Sequence, residues 1–457
     1  MRRTNKEKDN AKAQRAQSNA EKSNQLRPEI EFTMAGQFNT DVTREQQLDL
    51  YRYMVLNRTV EDAMTRLFRQ NLIVGGLYSS LGQEAIPVGS VYALEKRDWI
   101  APMIRNIGGL LVKGVPPRDI FTQHMARYTS PTQGKDGTSH FGDLKNLHIV
   151  SPISMLGDLI PVMTGVAMAG RYLGQNIVAL TWIGDGGTST GAFHEGVNLA
   201  AQQRASLILI IENNQWAYST PVTRQVPITD LADRAKAYGV RAFIADGNDV
   251  EAMFTTTREA VRLCRAGQGP VIIEAKTMRM RGHAQHDPAE YVPKAMVEHW
   301  QRRDPIASYE KRLTAAGVLT ERKKAEILSG IDALIKRDLA FAESSPFPPP
   351  ELAESPIYCD GPLPIEPQWK RPIAEVTPPR SCVKAEWNVE NLSGFQPDVI
   401  EGAGCSIPQP TDTGEGARDD VGARHAVPLQ PGGDGKRPTS SGSAKRARKP
   451  APVRGRK

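Results

Sequence analysis

The fold is decided by residues 184–214, which read GDGGTSTGAFHEGVNLAAQQRASLILIIENN. The residues before them, Ile177–Ile183, form a short apolar run rich in β-branched residues, which predicts a buried strand. Apolar positions at helical spacing predict a helix from about Thr190 to Gln203, and the apolar run Leu207–Ile211 predicts a second strand. A strand, a crossover helix and a second strand form a right-handed parallel unit. We therefore predict an α/β protein with a parallel sheet flanked by helices.

The glycine turn after the first predicted strand brings together groups that bind metal ions and phosphate. Asp185 follows the first strand and Asn214 follows the second, and parallel sheets bind ligands beyond the carboxyl ends of their strands. Carboxylate and amide oxygens are ligands that Mg²⁺ accepts. Gly184, Gly186 and Gly187 let backbone N–H groups approach a ligand closely, and a helix N-terminus attracts phosphate oxygens. These residues predict a site for a divalent metal ion and a diphosphate.

Several further motifs occur in order along the chain. They are GGLYSSLGQEA (75–85), GKDGTSHF (134–141), SMLGDLIP (154–161), TMRMRGHAQHDP (277–288) and RDPI (303–306). Together with the GDG and Asn-Asn pair, they resemble the alpha subunit of the decarboxylating dehydrogenase component of 2-oxo acid dehydrogenase complexes. The resemblance covers roughly Leu48 to Ser355. It implies the thiamine diphosphate-binding fold.

The resemblance implies two cofactors, thiamine diphosphate and Mg²⁺, and a set of residues that bind them. The implied metal ligands are the side chains of Asp185 and Asn214 and the backbone carbonyl of Trp216. The implied cofactor contacts are Arg105, Leu156, Gly184, Asp185, Gly186, Gly187, Asn214, Trp216, Tyr218, Arg279 and His283. Leu156 would pack on the aminopyrimidine ring of the cofactor. His283 and His140 are the catalytic candidates, because histidine exchanges protons near neutral pH.

The resemblance also implies the reaction and its partners. A small 2-oxo acid would be oxidatively decarboxylated, and its acyl group would pass to the lipoyl group of a partner acyltransferase. In this family a beta subunit supplies the glutamate that activates the aminopyrimidine, so we expect an alpha/beta heterotetramer. The substrate stays open between pyruvate and a branched-chain acid such as 2-oxoisovalerate. Trp216–Pro221 resembles the branched-chain subgroup, whereas Glu212 resembles the pyruvate subgroup.

The chain departs from the family pattern in its motif segments. Ile104 replaces the tyrosine that usually precedes the diphosphate-contacting arginine, which weakens the assignment of a cofactor contact at that position. Ala284 follows His283 where animal mitochondrial relatives carry a regulatory phosphoserine, so that switch cannot operate at this position. Leu159 replaces a glutamine of some relatives, so a monovalent-ion site is not predicted.

The two ends of the chain differ from its middle in composition. We predict a charged N-terminal arm over residues 1–40, a cofactor-binding domain over 41–355, and a disordered Pro/Gly/Ser-rich tail over 356–457. The tail ends in a basic stretch, Lys436–Lys457, which we interpret as solvated rather than as a nucleic-acid site. No apolar run is long enough for a transmembrane helix and no secretory signal is visible, so we expect no membrane association and a cytoplasmic protein.

Two other functions compete with this prediction. A transketolase-like transferase uses the same cofactor, but it requires a second cofactor-binding half that this chain lacks. The other alternative is a protein whose main function is to bind a partner through its basic tail.

None of the four cysteines forms a CxxC pair, so neither a zinc site nor a thiol redox motif is predicted. Cys264 lies in a predicted helix and is expected to be a core residue.

Overall fold

The computed structural model describes residues 33–34 and 41–354. The disordered tail predicted over 356–457, its basic stretch and most of the arm predicted over 1–40 lie outside the described residues. Thr33–Met34, within the predicted arm, forms a short strand that joins the main sheet. Among the described helices, none is both long and apolar enough to cross a membrane.

The described residues alternate between strands and helices. The strands are β1 (Thr33–Met34), β2 (Trp99–Ala101), β3 (Ala179–Gly184), β4 (Leu207–Asn213), β5 (Trp216–Ala217), β6 (Thr220–Pro221), β7 (Arg241–Asp246) and β8 (Val271–Lys276). The helices are α1 (Arg44–Arg69), α2 (Ala85–Tyr92), α3 (Ile107–Lys113), α4 (Pro117–His124), α5 (Leu159–Tyr172), α6 (Gly191–Gln202), α7 (Val222–Gln225), α8 (Val250–Arg265), α9 (Lys294–Gln301), α10 (Pro305–Ala315) and α11 (Glu321–Ser344). Short 3₁₀ helices span Gly186–Ser189, Leu231–Tyr238 and Pro350–Glu354.

The main sheet is parallel and has the strand order β1-β7-β8-β4-β3-β2. In register, Gly184 of β3 lies beside Glu212 of β4, and Asn213 of β4 lies beside Lys276 of β8. The carboxyl ends of these strands therefore meet at one edge of the sheet. This confirms the predicted α/β class and parallel sheet. Strands β5 and β6 form a small antiparallel pair just beyond this edge.

Helices cover both faces of the sheet, so its central strands are buried on both sides, as parallel strands require. On one face, Leu180, Ile208 and Ile273 pack with α1, α2 and α8. On the other face, the residues adjacent to these in the strands, such as Leu209 and Ile272, pack with α5 and α6. The alternation follows from the two-residue repeat of a strand. The helices on the two faces hold the strands, and therefore the carboxyl ends of the strands, in place.

The predicted strand-helix-strand unit is present, and its internal boundaries differ slightly from the prediction. Strand β3 ends one residue later than predicted, and β4 extends through Asn213. The glycine turn does not open the helix directly, because a 3₁₀ helix at Gly186–Ser189 comes first. Helix α6 then begins after Thr190, whose side chain accepts a hydrogen bond from the N–H of Phe193.

Candidate active site

A cavity of about 790 Å³ opens at the carboxyl edge of the sheet. It is lined by all twelve residues that the sequence predicted for the site: Arg105, His140, Leu156, Gly184, Asp185, Gly186, Gly187, Asn214, Trp216, Tyr218, Arg279 and His283. They come from segments far apart in the sequence, and the parallel sheet brings them together. Their functional roles stay predictions.

The glycine turn forms a close-packed floor beneath Asp185. A Cβ atom on Gly186 would lie 2.4 Å from the Cβ of Ala217, and one on Gly187 would lie 2.6 Å from Cγ1 of Ile183. Neither position accepts a side chain without a shift of its neighbours. The turn therefore presents backbone to the cavity, which is the surface that a diphosphate needs.

Asp185 is a buried carboxylate with few partners. Its residue is 2% exposed, and Nε2 of Gln225 donates a hydrogen bond of 2.8 Å to Oδ2. Burial raises the pKa of the carboxyl group to about 6, although hydrogen bonds from Gln225 and from backbone N–H groups oppose the shift. No Lys or Arg of the described residues forms an ion pair with Asp185. A cation in the cavity would offset the cost of burying this charge.

Asn214 lies on the other side of the same cavity. Its Nδ2 donates to Oε1 of Gln83 at 3.2 Å, whereas its Oδ1 accepts only a long contact of 3.4 Å from the N–H of Trp216. The carbonyl oxygen of the amide is therefore the group with bonding capacity to spare. The neighbouring Asn213 is held by Oε1 of Glu274, to which its Nδ2 donates at 2.7 Å.

Two buried arginines bring positive charge to the cavity. Nη1 of Arg105 donates to the carbonyl of Ser79 at 2.9 Å. Nη2 of Arg279 donates to the carbonyl of Tyr218 at 2.6 Å, and its Nη1 makes a long contact of 3.4 Å with the carbonyl of Trp216. Burial and the charge of Arg279 lower the pKa of Arg105 to about 10, so Arg105 stays cationic at neutral pH. Two such charges in a buried cavity suit an anionic ligand.

His283 faces both guanidinium groups. Its Nδ1 lies 3.4 Å from Nη2 of Arg105 and 3.5 Å from Nη1 of Arg279. Burial and the two arginine charges lower the pKa of His283 to about 4, so its imidazole is neutral near pH 7. Because a guanidinium group only donates, Nδ1 is the acceptor and the ring proton is on Nε2.

The remaining predicted residues form the walls and the mouth. Nδ1 of His140 lies 3.4 Å from Oδ1 of Asp136. Leu156 and Tyr218 are 57% and 47% exposed, which is unusual for large apolar or aromatic side chains in an otherwise buried site. The Tyr218 ring lies 4.8 Å from the ring of His283. Leu156 and Tyr218 therefore give the cavity an exposed lining of apolar and aromatic side chains.

The residues that support the site were not among those predicted from the sequence. Gln225 and Gln83 hold Asp185 and Asn214, and Asn106 donates to Oε1 of Glu212 at 2.6 Å inside the cavity wall. Burial raises the pKa of Glu212 to about 7. Asp287 accepts hydrogen bonds from the N–H of His283, at 2.6 Å, and from the hydroxyl of Tyr291, at 2.6 Å.

Asp287 and Tyr291 are four positions apart in the loop that carries His283, so their spacing was a usable signal. Hydrogen bonds to Asp287 outweigh the effect of burial and hold its pKa at about 2. Nothing in the sequence around Gln225 links it to Asp185, which precedes it by 40 positions.

The donor set fits a magnesium diphosphate. Within the described residues there is no cluster of three His, Cys, Asp or Glu side chains that could hold a metal ion alone. Asp185, Asn214 and the carbonyl of Trp216 would supply only part of a coordination shell, which suits Mg²⁺ when phosphate oxygens complete it. Oε1 of Gln225 and Oγ1 of Thr138, in the cavity wall, are buried and have no partner among the described residues.

The amino-acid sequence is similar to a known protein family and to proteins of other organisms. Residues 51–351 match the family described as "Dehydrogenase E1 component". The chain is 34% identical over 327 residues to the pyruvate dehydrogenase E1 component subunit alpha of Rhizobium meliloti (strain 1021), covering 71% of this chain and 92% of that protein. It is 32% identical over 320 residues to the 2-oxoisovalerate dehydrogenase subunit alpha of Bacillus subtilis (strain 168), covering 69% and 96%.

Proposed function

The chain belongs to the dehydrogenase E1 component family, among its alpha subunits, and from this premise we propose that it binds thiamine diphosphate with Mg²⁺ and decarboxylates a 2-oxo acid. The observation that carries the proposal is that all twelve predicted site residues line one cavity at the carboxyl edge of the sheet. Residues from so many separate motifs would not be expected to line one cavity if the motifs were unrelated to a common site.

Each part of the cavity has its own task in this proposal. Asp185, Asn214 and the carbonyl of Trp216 hold Mg²⁺, and the backbone at Gly186 and Gly187 faces the diphosphate. Arg105 and Arg279 balance the charge of the phosphate oxygens. Leu156 and Tyr218 pack against the apolar part of the cofactor at the entrance. When bound, thiamine diphosphate supplies a carbon nucleophile and an electron sink, which protein side chains lack.

The chain's own residues then handle protons and orientation. His283 holds a proton at Nε2 while Arg105 and Arg279 occupy its Nδ1, so the ring presents a hydrogen-bond donor. Asp287 fixes the backbone of His283, because its carboxylate accepts from the N–H of that residue. His140 stays a candidate proton acceptor, since its Nδ1 faces Asp136 and leaves Nε2 for the cavity.

The chain completes its site with a partner. We propose a beta subunit that supplies the glutamate for the aminopyrimidine, in an alpha/beta heterotetramer, and a lipoyl-bearing acyltransferase that accepts the acyl group. The two carboxyl groups in the cavity lining of this chain already have other tasks: Asp185 is the proposed metal ligand, and Glu212 is bound by Asn106. We also propose that the protein acts in the cytoplasm.

The substrate stays open between pyruvate and a branched-chain 2-oxo acid such as 2-oxoisovalerate. The cavity walls include Met103, Ile104 and Ile153, and an apolar wall distinguishes one methylene by only about 1–3 kcal/mol. Purified chain, co-expressed with a beta subunit, should turn over one of these acids, and the ratio of kcat/KM between them assigns the substrate. Robust turnover by the chain alone would contradict the need for a partner.

The alternatives make different predictions in the same assay. Deletion of the residues after Ser355 should leave assembly and turnover intact, whereas a binding protein led by the basic tail would lose its function. A transketolase-like transferase would transfer ketol groups between sugar phosphates, with no requirement for a lipoyl acceptor. Absence of both activities, together with absence of thiamine diphosphate binding, would overturn the proposed function.

A further inference from the structure

Glu61 is a buried carboxylate that lies outside the cavity and behind its wall. It belongs to α1, its residue is 3% exposed, and it accepts hydrogen bonds from two consecutive serines. The hydroxyl of Ser79 donates to Oε2 at 2.8 Å, and the hydroxyl of Ser80 donates to Oε1 at 2.5 Å. The N–H of Ser80 lies 3.0 and 2.9 Å from the two carboxylate oxygens. One carboxylate therefore fixes the side chains of both serines and the backbone N–H of Ser80.

This arrangement is costly for the fold alone. No ion pair of Glu61 is present within the part of the chain that the structure describes, and the buried Glu84 faces it as a second negative charge. Glu84, by contrast, is paired with Arg58, which also binds Asp304. Burying a carboxylate without an ion pair costs free energy, and the hydrogen bonds from Ser79 and Ser80 offset part of that cost.

The serine pair connects Glu61 to the cavity. The carbonyl of Ser79 accepts a hydrogen bond of 2.9 Å from Nη1 of Arg105, which lines the cavity. The preceding residue, Tyr78, also lines the cavity, and its ring lies 5.7 Å from Cζ of Arg105 and 5.6 Å from the ring of His283. A displacement of Ser79 would therefore move an acceptor of Arg105 and an aromatic wall of the site together.

We propose that Glu61 is a positioning residue that holds Arg105 in its anion-binding orientation, acting through its hydrogen bonds to Ser79 and Ser80. The inference rests on the proposed function, because it assigns to Arg105 the task of binding the diphosphate. It adds a residue that touches neither the cofactor nor the substrate. Glu61 acts from a different element, α1, on the far side of the serine pair.

The test uses the full chain and two probes, thiamine diphosphate with Mg²⁺ and inorganic diphosphate with Mg²⁺, titrated by calorimetry. Glu61→Ala should weaken the binding of both probes by about 10-fold, the effect of losing one well-placed charge-assisted hydrogen bond. Glu61→Gln should rescue binding to within about 2-fold, because the amide can still accept from Ser80 and donate to the hydroxyl of Ser79.

A matched variant separates positioning from general damage. Asp98→Ala removes another fully buried carboxylate, at the amino-terminal edge of the sheet, and should lower stability without weakening either probe. If Glu61→Ala does not fold, the double variant Ser79→Ala/Ser80→Ala removes both hydroxyl donors while Glu61 stays. It should weaken both probes by about 5-fold.

The outcomes distinguish the inference from the function on which it rests. Wild-type affinity in folded Glu61→Ala, or in the double serine variant, would overturn the positioning role while leaving the proposed function in place. Equal losses in Glu61→Gln and Glu61→Ala would also overturn it, since the hydrogen bonds would not be the cause. Failure of the wild-type chain to bind either probe, both alone and together with a beta subunit, would overturn both proposals.

Discussion

Two buried aspartates lie at opposite edges of the parallel sheet, and they differ in how fully they are bonded. Asp98, at the amino-terminal edge, accepts from the N–H of Val178 at 2.8 Å and of Glu95 at 2.8 Å, and pairs with Arg265 at 2.7 Å. Asp185, at the carboxyl edge, has the amide of Gln225 as its side-chain partner and a pKa raised to about 6 by burial.

The difference shows how one sheet separates stability from function. At the amino-terminal edge the buried charge is neutralised within the chain, so it contributes to the fold. At the carboxyl edge a buried carboxylate, an amide oxygen of Asn214 and a backbone turn are held with bonding capacity to spare. Such incompletely satisfied polar groups lower stability and favour binding. Replacing each residue in turn therefore tests the comparison.

The largest effect is expected at Asp185. Asp185→Ala should weaken Mg²⁺-dependent thiamine diphosphate binding by about 1000-fold, or about 4 kcal/mol, because a metal ligand and its charge are lost. The fold should survive, since the carboxylate is already costly to bury. Calorimetric titration together with thermal unfolding measures both quantities. Unchanged cofactor affinity would remove Asp185 from the site.

Asp98 should show the reverse pattern. Asp98→Ala removes the buried partner of Arg265, which keeps Glu95 at 3.1 Å, and leaves two N–H groups without their acceptor. Breaking a buried ion pair costs about 3 kcal/mol or more of unfolding free energy. Chemical denaturation measures this loss. The folded fraction should bind the cofactor with wild-type affinity, and a parallel fall in affinity would show that the two edges are coupled.

The free energy of unfolding should depend on pH through the buried carboxyl group of Asp185, at the carboxyl edge of the sheet. Burial raises the pKa of Asp185 from 3.8 to about 6, so its protonated form is favoured by folding. Its contribution is complete well below pH 4 and is lost as the pH rises through 6. The full cost is about 3 kcal/mol, of which about 2 kcal/mol falls between pH 4 and pH 8. Glu61 and Glu212, with pKa values raised to about 7 by burial, act in the same direction.

The variant Asp185→Asn, studied without cofactor, tests the pH-dependent contribution of the Asp185 carboxyl group to stability. The variant should gain about 2 kcal/mol over the wild type between pH 4 and pH 8, measured by urea denaturation at each pH. A constant difference between the two proteins across that range would mean that Asp185 carries no such cost.

Cys264 gives the smallest expected effect. It is buried at the end of α8, near the amino-terminal edge of the sheet, where its Sγ lies 3.6 Å from the carbonyl of Leu207. Cys264→Ala should cost about 1 kcal/mol, through a small cavity, and leave cofactor affinity unchanged. Burial also raises the pKa of the thiol, so alkylation of the native protein should be slow.

Much of the fold and the site followed from local patterns. The apolar runs before Asp185 and Asn214 fixed two adjacent parallel strands, and their carboxyl ends necessarily met. Cys264 proved to be a buried core residue, as predicted. The roles assigned to individual site residues stay predictions, although the structure brings all of them to one cavity.

The supporting contacts could not be predicted from the sequence. Gln225 reaches Asp185 only because α7 folds back over the glycine turn, and Glu61 reaches the serine pair across 19 positions. Such contacts depend on how elements pack, and local propensity carries no information about them. The 3₁₀ helix at Gly186–Ser189 was not predicted for a related reason. Consecutive glycines can adopt many backbone conformations, so the sequence does not select one of them.

The most direct test of the carboxyl edge as the binding site is an anomalous-scattering crystal structure of the full chain soaked with Mn²⁺ and thiamine diphosphate. We predict one strong Mn²⁺ peak in contact with a carboxylate oxygen of Asp185, Oδ1 of Asn214 and the carbonyl of Trp216, with the diphosphate completing its coordination. Bound thiamine diphosphate with Mn²⁺ elsewhere, or a peak that persists in Asp185→Ala, would contradict it.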